Sequence, residues 1–155
     1  MGCMEKIIGK KDVLHRAIVS LHKAIEQYQK ATALAHCSGF CQEIFYDKTE
    51  LIRTTRDSMI QRFEYSIDTL WKYLKSYCED IEKITIESKS PRGIFKQLCN
   101  ARVLSEQETE VALEMLDARN ATSHMYKEEQ AEALAQKITS YYHVLAQIER
   151  KITIH

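Results

Sequence analysis

Proline occurs once and glycine four times in 155 residues. Turns draw heavily on both, so their scarcity excludes an all-β architecture and favours long helices. No apolar run approaches the roughly 18 residues needed to span a bilayer, so no membrane partner is expected. An excess of either charge is also missing: Lys+Arg and Asp+Glu are both 22, giving a net charge of zero. A dedicated nucleic-acid binder usually carries a basic surplus. DNA is therefore not expected as a partner, and any RNA contact must be local, transient or assisted. The N-terminus lacks the continuous apolar segment of a secretory signal. Its Met1-Gly2-Cys3 start has Lys6 where a myristoylation motif wants Ser or Thr. Five cysteines, an odd count without a signal, point to reduced thiols in the cytoplasm.

What is present is helical periodicity. A chain of 155 residues with 45% hydrophobic content can bury a core as a single domain over 1–155. Residues 1–10 read as a flexible tail, and Asp12 as the cap of a first helix. Leu14, Ile18, Leu21, Ile25 and Tyr28 then recur at spacings of three and four. Asp47 opens a second helix, with Glu50 in the capping-box position. Its strongest part is 59–81, where Met59, Phe63, Ile67, Leu70, Trp71, Leu74, Cys78 and Ile81 form the inner stripe. Ser90-Pro91 starts a short third helix ending near Ala101 or Arg102. Ser105 with Glu108 forms a capping box for the fourth, with Val111, Met115, Ala118, Thr122 and Met125 expected inward. A fifth begins between Lys127 and Glu129, with Ala131, Leu134, Ile138, Tyr142, Leu145, Ile148 and Ile152 as its stripe. The expectation is an all-α, antiparallel up-and-down bundle of about five helices.

The residues that carry chemistry lie at the end of the fourth helix: Arg119-Asn120-Ala121-Thr122-Ser123-His124-Met125-Tyr126. A histidine and an arginine can cleave RNA without a metal. The histidine moves a proton to or from the 2′-hydroxyl or the leaving oxygen. The arginine stabilises charge on the phosphorus oxygens. On an ideal helix Arg119 and His124 point about 140° apart, so a working pair needs a curled arginine, a distorted helix end or a second copy of the chain. Asn120 shares a face with His124 and can fix its tautomer; Asp117 sits close to that face, and Ser123 is a further polar neighbour. The plainer alternative is a helix C-terminus where His124 meets the dipole and Arg119 pairs with Asp117 or Glu114.

Arg-x4-His-x-Tyr resembles the signature of the HEPN superfamily. Ile60-Gln61-Arg62-Phe63-Glu64-Tyr65, continuing to Leu70-Trp71-Lys72-Tyr73-Leu74-Lys75, is similar to the central helix of its nucleotidyltransferase substrate-binding branch. Ser90-Pro91-Arg92-Gly93-Ile94-Phe95 and Met115-Leu116-Asp117-Ala118-Arg119-Asn120 fit the same branch, so the resemblance spans roughly 56–135. It implies a HEPN-like bundle, a homodimer with the motif at its interface, and a minimal nucleotidyltransferase as partner in a two-gene toxin–antitoxin module. It implies a metal-independent endoribonuclease site of Arg119, His124 and Asn120, supported by Asp117 and Ser123. It also implies that Tyr126 accepts AMP from the partner, which blocks phosphate entry. The chain lacks a Gly-rich phosphate loop and a Gly-Ser followed by paired aspartates, so it is not itself the nucleotidyltransferase. The alternative is a non-catalytic scaffold whose motif only docks the enzyme or binds nucleotide.

Other clusters are weaker. His36-Cys37-Ser38-Gly39-Phe40-Cys41 lacks a second ligand pair at zinc-like spacing, so no metal and no cofactor are expected. His15, His22 and His143 read as structural, and Phe63 and Trp71 as core rather than base-stacking residues. Arg53, Arg56 and Arg62 form a basic patch interrupted by Asp57 and Glu64.

Overall fold

Capping side chains set three of the helix starts. In a computed structural model describing residues 2–36, 47–125 and 127–154, the helices are α1 (Cys3–Ala35), α2 (Lys48–Ser76), α3 (Pro91–Asn100), α4 (Glu106–Thr122) and α5 (Glu128–Lys151). Asp47 accepts the Thr49 N–H at 3.0 Å at the head of α2. Ser90 accepts the Gly93 N–H at 3.1 Å, with Pro91 in the first helical position. Ser105 and Glu108 satisfy each other's backbone N–H at 3.1 and 2.7 Å, a complete capping box. The expected all-α antiparallel bundle is the observed one, and no strand occurs among the described residues.

The expected N-terminal tail is a correction. α1 already begins at Cys3, the Gly2 N–H donates to the Glu5 carboxylate at 2.9 Å, and Asp12 lies inside the helix rather than capping it. Ile7 is the reason: it is fully buried, seven residues ahead of Leu14. Ile7, Leu14, Leu21 and Tyr28 form one buried seam at a seven-residue repeat, and burying Ile7 requires the first turns to be helical.

α2 carries the centre of the core. Met59, Phe63, Ile67, Leu70, Tyr73 and Leu74 are all buried. Its end winds into a π-helical turn, Tyr77–Ile81. The chain then leaves the helix, with the Ile84 N–H returning to the Cys78 carbonyl at 2.9 Å. Trp71 is only half-buried, packing against the edge of the core.

Two inward stripes also differ from expectation. α4 buries Glu108, Thr109, Ala112, Met115 and Leu116, while Val111, Ala118 and Met125 only flank the core. In α5 Tyr141 is buried and Tyr142 is not. That helix packs between neighbours on two sides. Tyr141 stacks on Phe63 of α2 at 5.6 Å and Tyr142 stacks on His22 of α1 at 5.1 Å. Adjacent residues thus serve two interfaces, which a single stripe does not anticipate.

Candidate functional site at the α4–α5 turn

α4 unwinds at the motif. The Thr122 hydroxyl donates to the Arg119 carbonyl at 2.6 Å. The amides of His124 and Met125 then donate to the Ala121 and Thr122 carbonyls at 3.0 and 3.2 Å, closing a tight turn. Asn120, Ser123 and His124 are exposed there. Tyr126, the expected nucleotidyl acceptor, lies outside the described residues.

Arg119 points the other way, back onto α2. Its Nε and Nη2 donate to the two carboxylate oxygens of Asp68 at 2.8 and 2.9 Å. The hydrogen bonds to Asp68 hold the guanidinium even more firmly protonated than usual, against a smaller opposing effect of burial. This replaces the expected pairing of Arg119 with Asp117 or Glu114. Those carboxylates serve elsewhere: Asp117 pairs with Arg92 of α3, and Glu114 accepts from Lys137 at 2.9 Å and Tyr141 at 2.8 Å. Asp117 thus ties α4 to α3. Among the described residues no side-chain hydrogen bond joins His124 to Arg119 or Asn120.

The fork on Asp68 is side-on. A guanidinium has five N–H donors, and two of them are engaged here.

A second arginine holds the other end of the turn. Arg56 on α2 is 3% exposed. It donates from Nη1 to Glu128 Oε1 at 2.5 Å and from Nη2 to Oε2 at 3.3 Å. Its Nε and Nη2 also take Asp57 Oδ1 at 3.1 and 2.9 Å. These hydrogen bonds, led by Glu128, raise its affinity for the proton despite burial. Glu128 opens α5, and its carboxyl is held below the ordinary range chiefly by Arg56. The expected basic patch is thus largely a neutralised ion-pair cluster.

Two clefts border the turn. One, of about 670 Å³, runs along α2 between Arg53 and Glu64 and is closed by Thr122, Met125 and Lys127. The other, of about 450 Å³, lies between α4 and α5 over Ala118, Ala121, Met125 and Leu134. Among the described residues no group of three His, Cys, Asp or Glu side chains is placed to hold a metal. Cys37 and Cys41, of the His-Cys cluster, lie outside the described residues.

Asp68 and Arg56 were not legible as site residues. Each is one polar residue among many on α2, and their partners lie 51 and 72 residues away.

Residues 10–153 match the family described as nucleotidyltransferase substrate binding protein like, and the chain belongs to that family. A protein from Thermus thermophilus shares 27% identity over 86% of this chain and 99% of its own, with a TM-score of 0.61. The tri-AMPylated Shewanella oneidensis HEPN toxin, solved in complex with an MNT antitoxin, matches at 16% identity over 91% of this chain and 96% of its own, TM-score 0.63. A toxin–antitoxin structure with AMP-PNP matches at 15% identity over 92% of this chain and 98% of that one, TM-score 0.62. At those identities the last two likenesses are of fold. No curated protein matches significantly.

Proposed function

We propose that this chain is the helical partner of a minimal nucleotidyltransferase in a two-gene toxin–antitoxin module, and that its α4–α5 turn is a metal-independent endoribonuclease site. The family match supports the partner. The observation that carries the ribonuclease reading is the side-on fork on Asp68. It orients Arg119 on the helix whose end exposes His124, with two of its N–H donors engaged among the described residues.

In the reaction His124 takes the proton of an RNA 2′-hydroxyl. The oxygen attacks the adjacent phosphorus, the 5′-oxygen leaves and takes up a proton, and a cyclic phosphate forms. Arg119 binds the phosphorus oxygens as charge builds on them. Asn120 holds a phosphate oxygen or the histidine, with Ser123 beside it. A cytoplasmic homodimer with the motif at its interface brings the arginine of one copy to the histidine of the other. Tyr126 accepts AMP from the nucleotidyltransferase, placing bulk and negative charge beside the site and silencing it.

Cleavage of RNA by the purified chain in chelator, beside His124→Ala, tests the reading. Cleavage lost in the variant supports it; no cleavage by a folded dimer refutes the enzymatic part. Incubation with the nucleotidyltransferase and ATP should add AMP to the wild type and not to Tyr126→Phe. A second reading, a non-catalytic scaffold that docks the enzyme, is favoured by the zero net charge.

A further inference from the structure

Two arginine–carboxylate forks bracket the motif turn, and both are anchored on α2. At the leading end Arg119 of α4 grips Asp68. At the trailing end Arg56 of α2 grips Glu128, the first residue of α5. The α2 anchors are twelve residues apart, roughly 18 Å along the helix. Thr122 and Met125 lie alongside the stretch between them, lining one cleft with Ile60, Gln61 and Glu64. Among the described residues, His124 and Met125 hold the turn by two short-range amide hydrogen bonds, and Met125 packs at the edge of the core. Its exposed residues bury too little apolar surface to fix its path.

The trailing fork is built to resist displacement. Arg56 is almost fully buried, whereas Glu128 is more than half exposed. The arginine is itself braced by Asp57 and lies 4.0 Å from Glu132, whose other oxygen accepts the Tyr28 hydroxyl of α1 at 3.0 Å. Arg53 adds a longer contact to Glu128 at 3.7 Å. A buried, multiply braced cation gripping one exposed carboxylate fixes the partner, because rotating the arginine away strands its charge.

We infer that Arg56 is a positioning residue for the His124-bearing turn: it sets the trailing end of the turn through Glu128 and touches no substrate. This rests on the reading of that turn as the functional site, but its test does not depend on RNA. The measurement is amide hydrogen exchange at Ser123, His124 and Met125, with the His124 ring-proton resonance, in the full-length chain. The variants are Glu128→Gln, Arg56→Lys and a control, Glu149→Gln, which removes the α5 carboxylate that meets Lys11 at 3.2 Å at the opposite end of the helix. Glu128→Gln changes an exposed side chain and keeps the fold even where an Arg56 variant loses it.

The expected result is exchange at His124 and Met125 accelerated about tenfold or more in Glu128→Gln and Arg56→Lys, with a shifted His124 resonance and no change in the control. Unchanged exchange in Glu128→Gln overturns the inference, as does equal acceleration in all three variants. Accelerated exchange in a chain that never cleaves RNA leaves Arg56 as the positioning residue and removes the ribonuclease reading. Cleavage by the wild type, with exchange unmoved in the variants, does the reverse.

Discussion

Replacing Asp68 with alanine removes the only carboxylate that Arg119 engages by hydrogen bonds among the described residues. The pair has two charge-assisted bonds at 2.8 and 2.9 Å, and its side chains are 30% and 33% exposed. Fully exposed pairs contribute about 0.2–1 kcal/mol, and breaking a buried one costs about 3–5 kcal/mol. An ideal fork at one-third exposure falls between, at about 1.5 kcal/mol. For a domain of this size that lowers Tm by about 3–6 °C. The functional effect is larger. An arginine released from its fork loses its placement, and misplacement by about 1 Å costs on the order of a hundredfold in rate. The assay is a double-mutant cycle of Asp68→Ala and Arg119→Ala, read by thermal unfolding and by RNA cleavage. The two changes should couple by about 1–1.5 kcal/mol in stability and be non-additive in rate. Coupling below about 0.3 kcal/mol, the limit of ordinary additivity, refutes the fork. Faster cleavage by Asp68→Ala refutes the idea that Asp68 presents the arginine and makes it a block instead.

Glu108 gives a pH dependence. Burial alone would raise its carboxyl, but Lys151 at 2.8 Å and the Ser105 amide outweigh it and hold it below the usual range. Its contribution is therefore fully present above the ordinary glutamate value of about 4.3 and is lost as pH falls through the lower folded value. The Tm gap between wild type and Glu108→Gln should be widest near neutrality and shrink in acid; a gap constant with pH would contradict the assignment. At Gly93 an added Cβ would lie 2.6 Å from Ser88 Cβ and 2.7 Å from the Ser88 carbonyl oxygen. Gly93→Ala should destabilise by about 1–3 kcal/mol in denaturant unfolding, and a neutral result would mean the 82–90 segment moves aside freely. Phe63→Ala empties a fully buried site stacked on Tyr141 and should cost about 3–5 kcal/mol, read as a drop in denaturant midpoint with an unchanged slope.

Local signals read well from sequence because each is complete within a few residues. Asp47, Ser90-Pro91 and the Ser105–Glu108 box mark helix starts whose partners lie two or three positions away. The stripe of α2 and the identity of the Arg-x4-His-x-Tyr segment are equally local. Ile7 was readable too, as the first member of a seven-residue repeat, but the short Ile7-Ile8 pair between lysines gave no stripe by itself.

Other features depend on what lies opposite. Tyr141 turns inward and Tyr142 toward α1 because α5 has neighbours on two sides. Glu108 is buried because Lys151 and Gln147 of α5 cover it. Arg119 bonds Asp68 rather than its own-helix carboxylates because Arg92 and Lys137 already hold those. The sequence by itself determined the helices, the starts of all but the first, and the chemistry available at one helix end. Only the tertiary structure decided which charges meet, since an ion pair across 51 or 72 residues is selected by packing, which fixes side-chain distance independently of distance along the chain.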